Sequence, residues 1–326
     1  MSVVKQGASS MAITAPTKTS DSQFSGFLSP EKAAPYFDEA AKSSVVQRLT
    51  RKVPLGINGQ NIPVVTGKMS AGWVSEGGQK PSSNASVGLK TIKPEKIAAI
   101  AVVSAEVVRA NPANYMGLLR PQIAEAFALA FDAAALYDKG PDGAAGGGPF
   151  DTFINQTTKQ IELGTATQAN GGIHADIVAG LKALVDDGKK LRGFALDDRV
   201  EPTLLSAVDS TGRPIYVDTP LDETAAAVRP GRLIGRPSFM SEGVGEDTPA
   251  GAGTKYVLGF GGDWSQAVWG AVGGISYDVS TQATVTINGT LVSLWEHNLV
   301  AIRAEAEYGF LVNDPEAFVR YTETTA

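Results

Sequence analysis

The segment from residue 72 to residue 100 most constrains what this chain can fold into. It reads GWVSEGGQKPSSNASVGLKTIKPEKIAAI, with strand-like alternation around 72–76 and 87–92. The Gly, Pro, Ser and Asn residues between these two segments are typical of a turn, so the pattern predicts a long hairpin. An isolated two-stranded hairpin is marginally stable in water. We therefore expect another domain or another subunit to cover it.

The composition fits a folded protein and argues against several functions. The chain has 326 residues, of which 43% are hydrophobic and 19% are charged, enough for one large or two ordinary domains. A net charge of −6 and the lack of a dense Lys/Arg run make wrapping of nucleic acid a poor fit. The absence of cysteine rules out disulfides and thiolate chemistry. Because no run approaches 18 apolar residues, we expect no membrane span.

Helical spacing is clearest between residues 112 and 138. There the apolar stripe consists of Met116, Leu119, Ile123, Phe127, Phe131 and Ala135. Pro121 lies within this helix and predicts a kink or a local break in its hydrogen bonding. A second helix is predicted at 174–188 with Gly188 as its stop, and shorter helices are predicted after Ser104 and at 201–208.

Alternating residues predict the strands, and the clearest strand is 300–308. Its polar face carries Arg303, Glu305 and Glu307. Further strands are predicted at 61–67, 97–103 (as a buried strand), 193–196, 232–240, 255–260 and 275–280. Helices and strands mix without a regular βαβ rhythm, which predicts an α+β fold.

The search for catalytic, cofactor and metal sites finds no candidate. The two histidines, His174 and His297, are far apart and cannot form a metal-binding HExxH motif. The sequence TGKMS at 66–70 lacks the Ser or Thr and the earlier glycine of a phosphate-binding loop. The sequence GFGGDW at 259–264 lacks the third glycine of a dinucleotide site. We therefore expect a protein that is not an enzyme and uses no cofactor or metal.

Four blocks of the sequence carry a resemblance to a known family. Taken in order, the chain resembles the major capsid proteins of tailed bacteriophages with the HK97 fold, particularly those of phages that infect actinobacteria. The blocks are GWVSEGGQKPSSNASVGLKTIKPEKIAAIAVVSAEVVRAN; LLRPQIAEAFALAFDAAALYDKG; GRPIYVDTP with GRLIGRPSFMSEGV; and YVLGFGGDWSQAVWG with EHNLVAIRAEAEYGFLVNDPEAFVRY. The resemblance covers roughly residues 25–322.

The resemblance implies a division of the chain into four parts. Residues 1–42 would form an N-terminal arm, and residues 67–93 would form the extended hairpin called the E-loop. The peripheral (P) domain would combine 43–66, 94–172 and 296–326, with a spine helix at about 112–138. The axial (A) domain would span 173–295.

The resemblance also implies the function and the partners. The chain would self-assemble into pentamers and hexamers of an icosahedral head that encloses double-stranded DNA, in the cytoplasm of the host bacterium. Only about thirty residues precede the resemblance, so we expect a separate scaffolding protein, or none, rather than a fused one. A portal and a decoration protein are the other expected partners.

The E-loop would lie across a neighbouring subunit, which explains why it offers so little to bury against its own domain. The predicted contact residues are Trp73, Glu76, Lys80 and Lys90 in the hairpin and Arg303, Glu305 and Glu307 in the neighbour's P domain. The predicted hinges are Pro121 and Gly146.

Two alternatives to a phage head remain at this stage. An encapsulin-type nanocompartment shares the fold, but the long polar start MAITAPTKTSDSQFSG fits it poorly. A soluble enzyme with an unrecognised site is the other alternative. Some relatives also form isopeptide crosslinks, for which the chain offers Lys80 and Lys90 with Asn288, Asn298 and Asn313. Lys and Asn are common, so we expect no crosslink.

Overall fold

The computed structural model describes residues 44–67, 71–76, 79–80, 86–111, 115–140, 143, 146–167, 170–207, 216–218, 228–246 and 255–324. The predicted arm at 1–42 lies outside these residues. The helices are α1 (Val45–Leu49), α2 (Ala105–Ala110), α3 (Tyr115–Tyr137), α4 (Gly172–Asp186) and α5 (Glu201–Ser206). The strands are β1 (Arg51–Lys52), β2 (Gln60–Gly67), β3 (Ser86–Ile92), β4 (Glu95–Ser104), β5 (Gln160–Glu162), β6 (Gly193–Leu196), β7 (Tyr216–Asp218), β8 (Arg229–Leu233), β9 (Arg236–Met240), β10 (Lys255–Gly262), β11 (Ala267–Ala271), β12 (Ser276–Ser280), β13 (Thr284–Ile287), β14 (Thr290–Ser293), β15 (Leu299–Val312) and β16 (Phe318–Thr324).

The long strand β15 organises the first sheet, which has five strands. Strand β4 pairs with β15 along one edge, and β12 and β11 pair with successive parts of the other edge. Helix α3 covers one face, where Ile123 and Phe127 pack against Ala304 and Ala306. The strand predicted at 300–308 is therefore confirmed, and so is the apolar stripe of α3 from Leu119 to Ala135. The side chain of Met116 lies outside the described residues.

The second sheet has seven strands in the order β5-β16-β10-β6-β9-β8-β7. Helix α4 packs on it through Ile177 and Leu184, and Phe194 and Tyr321 fill the same core. The predicted stop of this helix is confirmed. Gly188 has a φ of +68°, which glycine adopts at low cost, and Lys189 donates its backbone N–H to the Leu184 carbonyl at 2.8 Å.

Three predicted strands need correction. Residues 72–76 form no strand, and the first strand of the hairpin is β2, which matches the strand predicted at 61–67. The segment 232–240 is a hairpin rather than one strand, because Ile234 and Gly235 both take positive φ angles between β8 and β9. The strand predicted as buried at 97–103 exposes one of its faces, including Ile100.

The proline within the long helix does not interrupt it. Helix α3 continues from Tyr115 to Tyr137 with Pro121 exposed in its second turn, so the proline does not end the helix. Because proline lacks an N–H, the Gly117 carbonyl loses its helical donor there. The role of Pro121 as a hinge stays a prediction.

Candidate assembly surface

The β2–β3 hairpin is fixed at its base to its own subunit. Ile92 at the end of β3 packs with Val53, Leu55, Val268 and Leu311 in a small buried cluster. This cluster lies over the junction of β11 and β15 and holds the chain on both sides of the hairpin. The base of the hairpin therefore has a defined position on the five-stranded sheet.

Two glycines make room for this arrangement. Gly270 of β11 and Gly309 of β15 lie directly opposite each other in the sheet. A Cβ atom at Gly309 would lie 2.6 Å from the Lys93 carbonyl oxygen, and one at Gly270 would lie 2.8 Å from the Cβ of Leu55. Both distances are shorter than van der Waals contact. The hairpin base can therefore approach the sheet only because these positions lack side chains.

Lys90 adds a polar contact at the base. Its ammonium group donates to the main-chain oxygen of Asn313, 223 residues away in the sequence. The side chain of Asn313 donates in turn to Gln266 Oε1 at 2.8 Å, and its backbone N–H donates to the Gln266 carbonyl at 2.7 Å. Lys90, predicted from the sequence as an inter-subunit contact, thus holds the hairpin to its own subunit.

The outer face of the hairpin carries apolar side chains that the described part of the subunit leaves exposed. Val87 is 63% exposed and Leu89 is 69% exposed, and Pro63, which lies opposite Leu89 in the ladder, is exposed as well. Further towards the base, Thr91 donates to the side chain of Asn61 across the same pair of strands at 2.7 Å. We call Pro63, Val87 and Leu89 the hairpin strip.

Several predicted contact residues beyond β2 are also exposed. Trp73 is fully exposed at 104% of its reference area, and Glu76 and Lys80 are exposed too.

The predicted hinge Gly146 is exposed, has a φ of +83° and donates its backbone N–H to the Asp138 carbonyl at 3.0 Å.

The face of the five-stranded sheet that is turned away from α3 carries a cross-strand group of charges. Arg303 contacts Asp278 at 2.8 Å and Glu305 at 3.5 Å, and Lys96 contacts Glu305 at 3.0 Å. The hydrogen bond to Asp278 raises the pKa of Arg303. Each exposed ion pair contributes only about 0–1 kcal/mol. Their main effect is to hold the side chains in one arrangement.

Exposed apolar side chains lie within this charged group. Ile100 of β4 pairs with Arg303 and Ala98 pairs with Glu305, and both are exposed. We call Lys96, Ala98, Ile100, Arg303 and Glu305 the sheet patch. Glu307 lies on the same face of β15, half-buried. Lys96 and Asp278 were missed from the sequence, although the alternation in β4 and β12 places them beside β15.

Among the described residues, no group of three or more His, Asp or Glu side chains is placed to hold a metal ion. In this part of the chain, no helix is both long enough and apolar enough to cross a membrane.

The fold defines the class of the protein first: it is a structural subunit with the HK97-type capsid fold. A solved chain from Gordonia phage Cozz is 26% identical to this chain, with a TM-score of 0.70. The match covers 91% of this chain and 92% of that one. A chain from the capsid of an empty GTA particle is 16% identical, with a TM-score of 0.62 and coverage of 94% of this chain and 99% of that one.

The sequence comparisons then give the family. The model of the phage capsid family matches residues 25–322. The probable major capsid protein gp17 of Mycobacterium phage D29 is 46% identical over 314 residues, which is 95% of this chain and 94% of that protein. The protein of the same description from Mycobacterium phage L5 is also 46% identical, over 319 residues. The chain belongs to the phage capsid family.

Membership confirms the predicted resemblance, the α+β HK97-type fold and the assignment to the phage head. A major capsid protein is a structural component of the virion, and the encapsulin-type alternative is not favoured.

Proposed function

We propose that this chain assembles as hexamers and pentamers into an icosahedral head that encloses double-stranded DNA, with each hairpin lying across a neighbouring subunit. Family membership supports assembly from many copies. The net charge of −6 supports a shell that contains DNA without binding it tightly. A separate scaffolding protein, a portal and a decoration protein are the proposed partners.

One observation carries this proposal. The hairpin is anchored at its base, but the hairpin strip remains exposed in the subunit. A two-stranded hairpin gains little stability by itself, so an exposed apolar strip on one face suits a surface that is buried on assembly. Anchoring the base reduces the conformational entropy lost when the strip binds a neighbour.

We propose that the neighbour's sheet patch receives the hairpin strip. Ile100 and Ala98 offer apolar surface, while Arg303, Glu305 and Lys96 surround it with both signs of charge. Glu76 and Lys80 are exposed and able to pair with these charges, as predicted from the sequence. Trp73 would add a large aromatic contact, and Glu307 would extend the acidic side of the patch.

The division into parts also remains a proposal. It keeps the arm at 1–42, the A domain at 173–295 and the P domain at 43–66, 94–172 and 296–326. Two sets of strand pairs cross its boundaries: β11 and β12 of the proposed A domain pair with β15, and β16 of the proposed P domain pairs with β10. Pro121 and Gly146 are the proposed hinges between non-identical subunit positions.

Electron microscopy together with native mass measurement tests the proposal. The chain is expressed alone and also together with the neighbouring phage genes. Closed shells, pentamers or hexamers are the expected result. A species that stays at the monomer mass of 33.9 kDa in both expressions would contradict it. A single monomer band on a denaturing gel of mature particles would agree with the expectation of no crosslink.

A further inference from the structure

A carboxylate lies buried in the C-terminal half of the long helix α3. Asp132 of α3 is only 2% exposed and faces the start of α1. It accepts hydrogen bonds from the Ser44 hydroxyl at 2.5 Å, from the Val45 backbone N–H at 2.8 Å and from the Val46 backbone N–H at 3.3 Å. These donors are 86 to 88 residues away in the sequence.

These contacts satisfy three backbone N–H groups at the start of α1. The first N–H groups of a helix have no partner within the helix. Asp132 accepts from two of them, and the Ser44 hydroxyl oxygen accepts from the Gln47 N–H at 3.0 Å. Because α1 has only five residues, it cannot be stable by itself and its position depends on its surroundings.

Burying the Asp132 carboxylate costs desolvation free energy. A leucine or methionine there would fill space without any desolvation cost. Burial raises the pKa of Asp132 to about 7, while the three hydrogen bonds act in the opposite direction. The core around α1 and this part of α3 contains the titratable groups Tyr137 and Tyr308, and α1 carries Arg48 on its exposed side.

The contact between Asp132 and Ser44 lies where the described part of the chain begins. Ser44 is the first described residue, and the chain before it is the segment proposed as the N-terminal arm. Val45 and Val46 are completely buried and hold α1 in the core. Apolar packing of this kind does not by itself set the orientation of the helix. Hydrogen bonds are directional, and among the described residues outside α1 and its Ser44 cap, the Asp132 carboxylate is the group that accepts them from the first turn.

We propose that Asp132 is the positioning residue for the start of α1: through Ser44 and the first turn of α1, it fixes the point beside the spine helix from which the proposed arm extends. The inference rests on the proposed arm at 1–42. It goes beyond that proposal by assigning this point to one side chain of the spine helix.

Hydrogen exchange in the unassembled full-length chain tests this inference. Asp132→Asn keeps the shape of the side chain but places an amide donor among the backbone donors. We expect at least tenfold faster exchange at Val45, Val46 and Gln47, with the amides of β15 unchanged. Ile123→Val is the control, because it alters the core of the same helix away from α1. It should leave the three amides of α1 unchanged.

A rescue variant separates positioning from a general packing role. Ser44→Asp alone would place two carboxylates against each other and accelerate exchange. In the double variant Ser44→Asp with Asp132→Asn, the amide at position 132 can donate to the carboxylate at position 44, which reverses the direction of the wild-type hydrogen bond. We expect exchange at Gln47 to return to within about threefold of the wild-type rate, because an aspartate at this position caps the helix as serine does. Packing alone predicts no rescue.

Unchanged exchange in Asp132→Asn, or a double variant no better than either single one, would overturn the inference. If Asp132→Asn does not fold, Ser44→Ala decides. It should accelerate exchange at Gln47, and an unchanged rate there would also overturn the inference. Because the readout comes from single subunits, a failure here is distinct from a failure to form shells.

Discussion

The hairpin strip offers a direct way to weaken assembly without unfolding the subunit. Val87 and Leu89 are 63% and 69% exposed in the subunit, so their replacement removes few contacts within it. Full burial of such a side chain is worth about 1.5–3 kcal/mol. Scaled by exposure, the two side chains would contribute about 2–4 kcal/mol to each hairpin contact.

The double variant Val87→Ser with Leu89→Ser should therefore raise the protein concentration needed for assembly. Each subunit would give one hairpin and receive one, so the loss per subunit is that of one contact. Since about 1.4 kcal/mol corresponds to a factor of ten, we expect at least a thirtyfold higher threshold. Light scattering over a concentration series, under conditions where the wild-type chain assembles, measures it.

The matched control is Val279→Ser. Val279 is 67% exposed, but it pairs with Ile302 on the opposite face of the sheet from Arg303. We expect its assembly threshold to stay within threefold of wild type, and both variants should keep the thermal midpoint of the free subunit. An unchanged threshold in the double variant would refute the burial of the strip on assembly.

Three further predictions follow from single contacts. Gly309→Ala should destabilise the subunit by about 1–3 kcal/mol in chemical denaturation, because the new Cβ atom would lie 2.6 Å from the Lys93 carbonyl oxygen. Gly56→Ala is the control and should leave the stability unchanged, because the space around Gly56 is open. Asp278→Asn should cost less than about 1 kcal/mol, and a larger loss in the same assay would contradict the weakness of exposed ion pairs. Lys90→Met should accelerate hydrogen exchange in β3 while leaving α4 unchanged, since Lys90 ties β3 to Asn313; equal rates would contradict its supporting role.

The buried carboxylate also predicts how stability depends on pH. Its pKa is raised from 3.8 to about 7, so the folded chain binds a proton that the unfolded chain has lost between these values. This contribution is fully present below about pH 4, falls as pH rises towards 7 by at most about 1.4 kcal/mol per unit, and is then lost. The free energy of unfolding of the wild type should fall with this slope between about pH 5 and pH 7 and level off above about pH 7. An identical slope in Asp132→Asn would contradict the assignment.

Periodic patterns were enough to predict the elements that carry most of the core. The stripe in α3 and the alternation in β15 are long, so the helix and the strand were recognised from the sequence alone. Short polar segments were less reliable. GWVSE alternates, but the hairpin instead uses NIPVVTG, whose β-branched residues pair with β3.

The missed residues share a physical reason. The partners of Asp132 are 86 to 88 residues away, and the partner of Lys90 is a main-chain oxygen 223 residues away. Contacts over such distances in the sequence cannot be predicted from the spacing of residues. Gly270 and Gly309 were equally hidden, because their role depends on how closely the hairpin base approaches the sheet.

Disulfide trapping in assembled particles would test the central claim, that each hairpin lies on a neighbour's sheet. The chain has no cysteine, so introduced cysteines have no native competitor. Subunits carrying Leu89→Cys are assembled together with subunits carrying Ile100→Cys and then oxidised. We predict a dimer that joins the two different variants and that requires both of them. Particles of normal form that yield only monomer after oxidation would contradict the account.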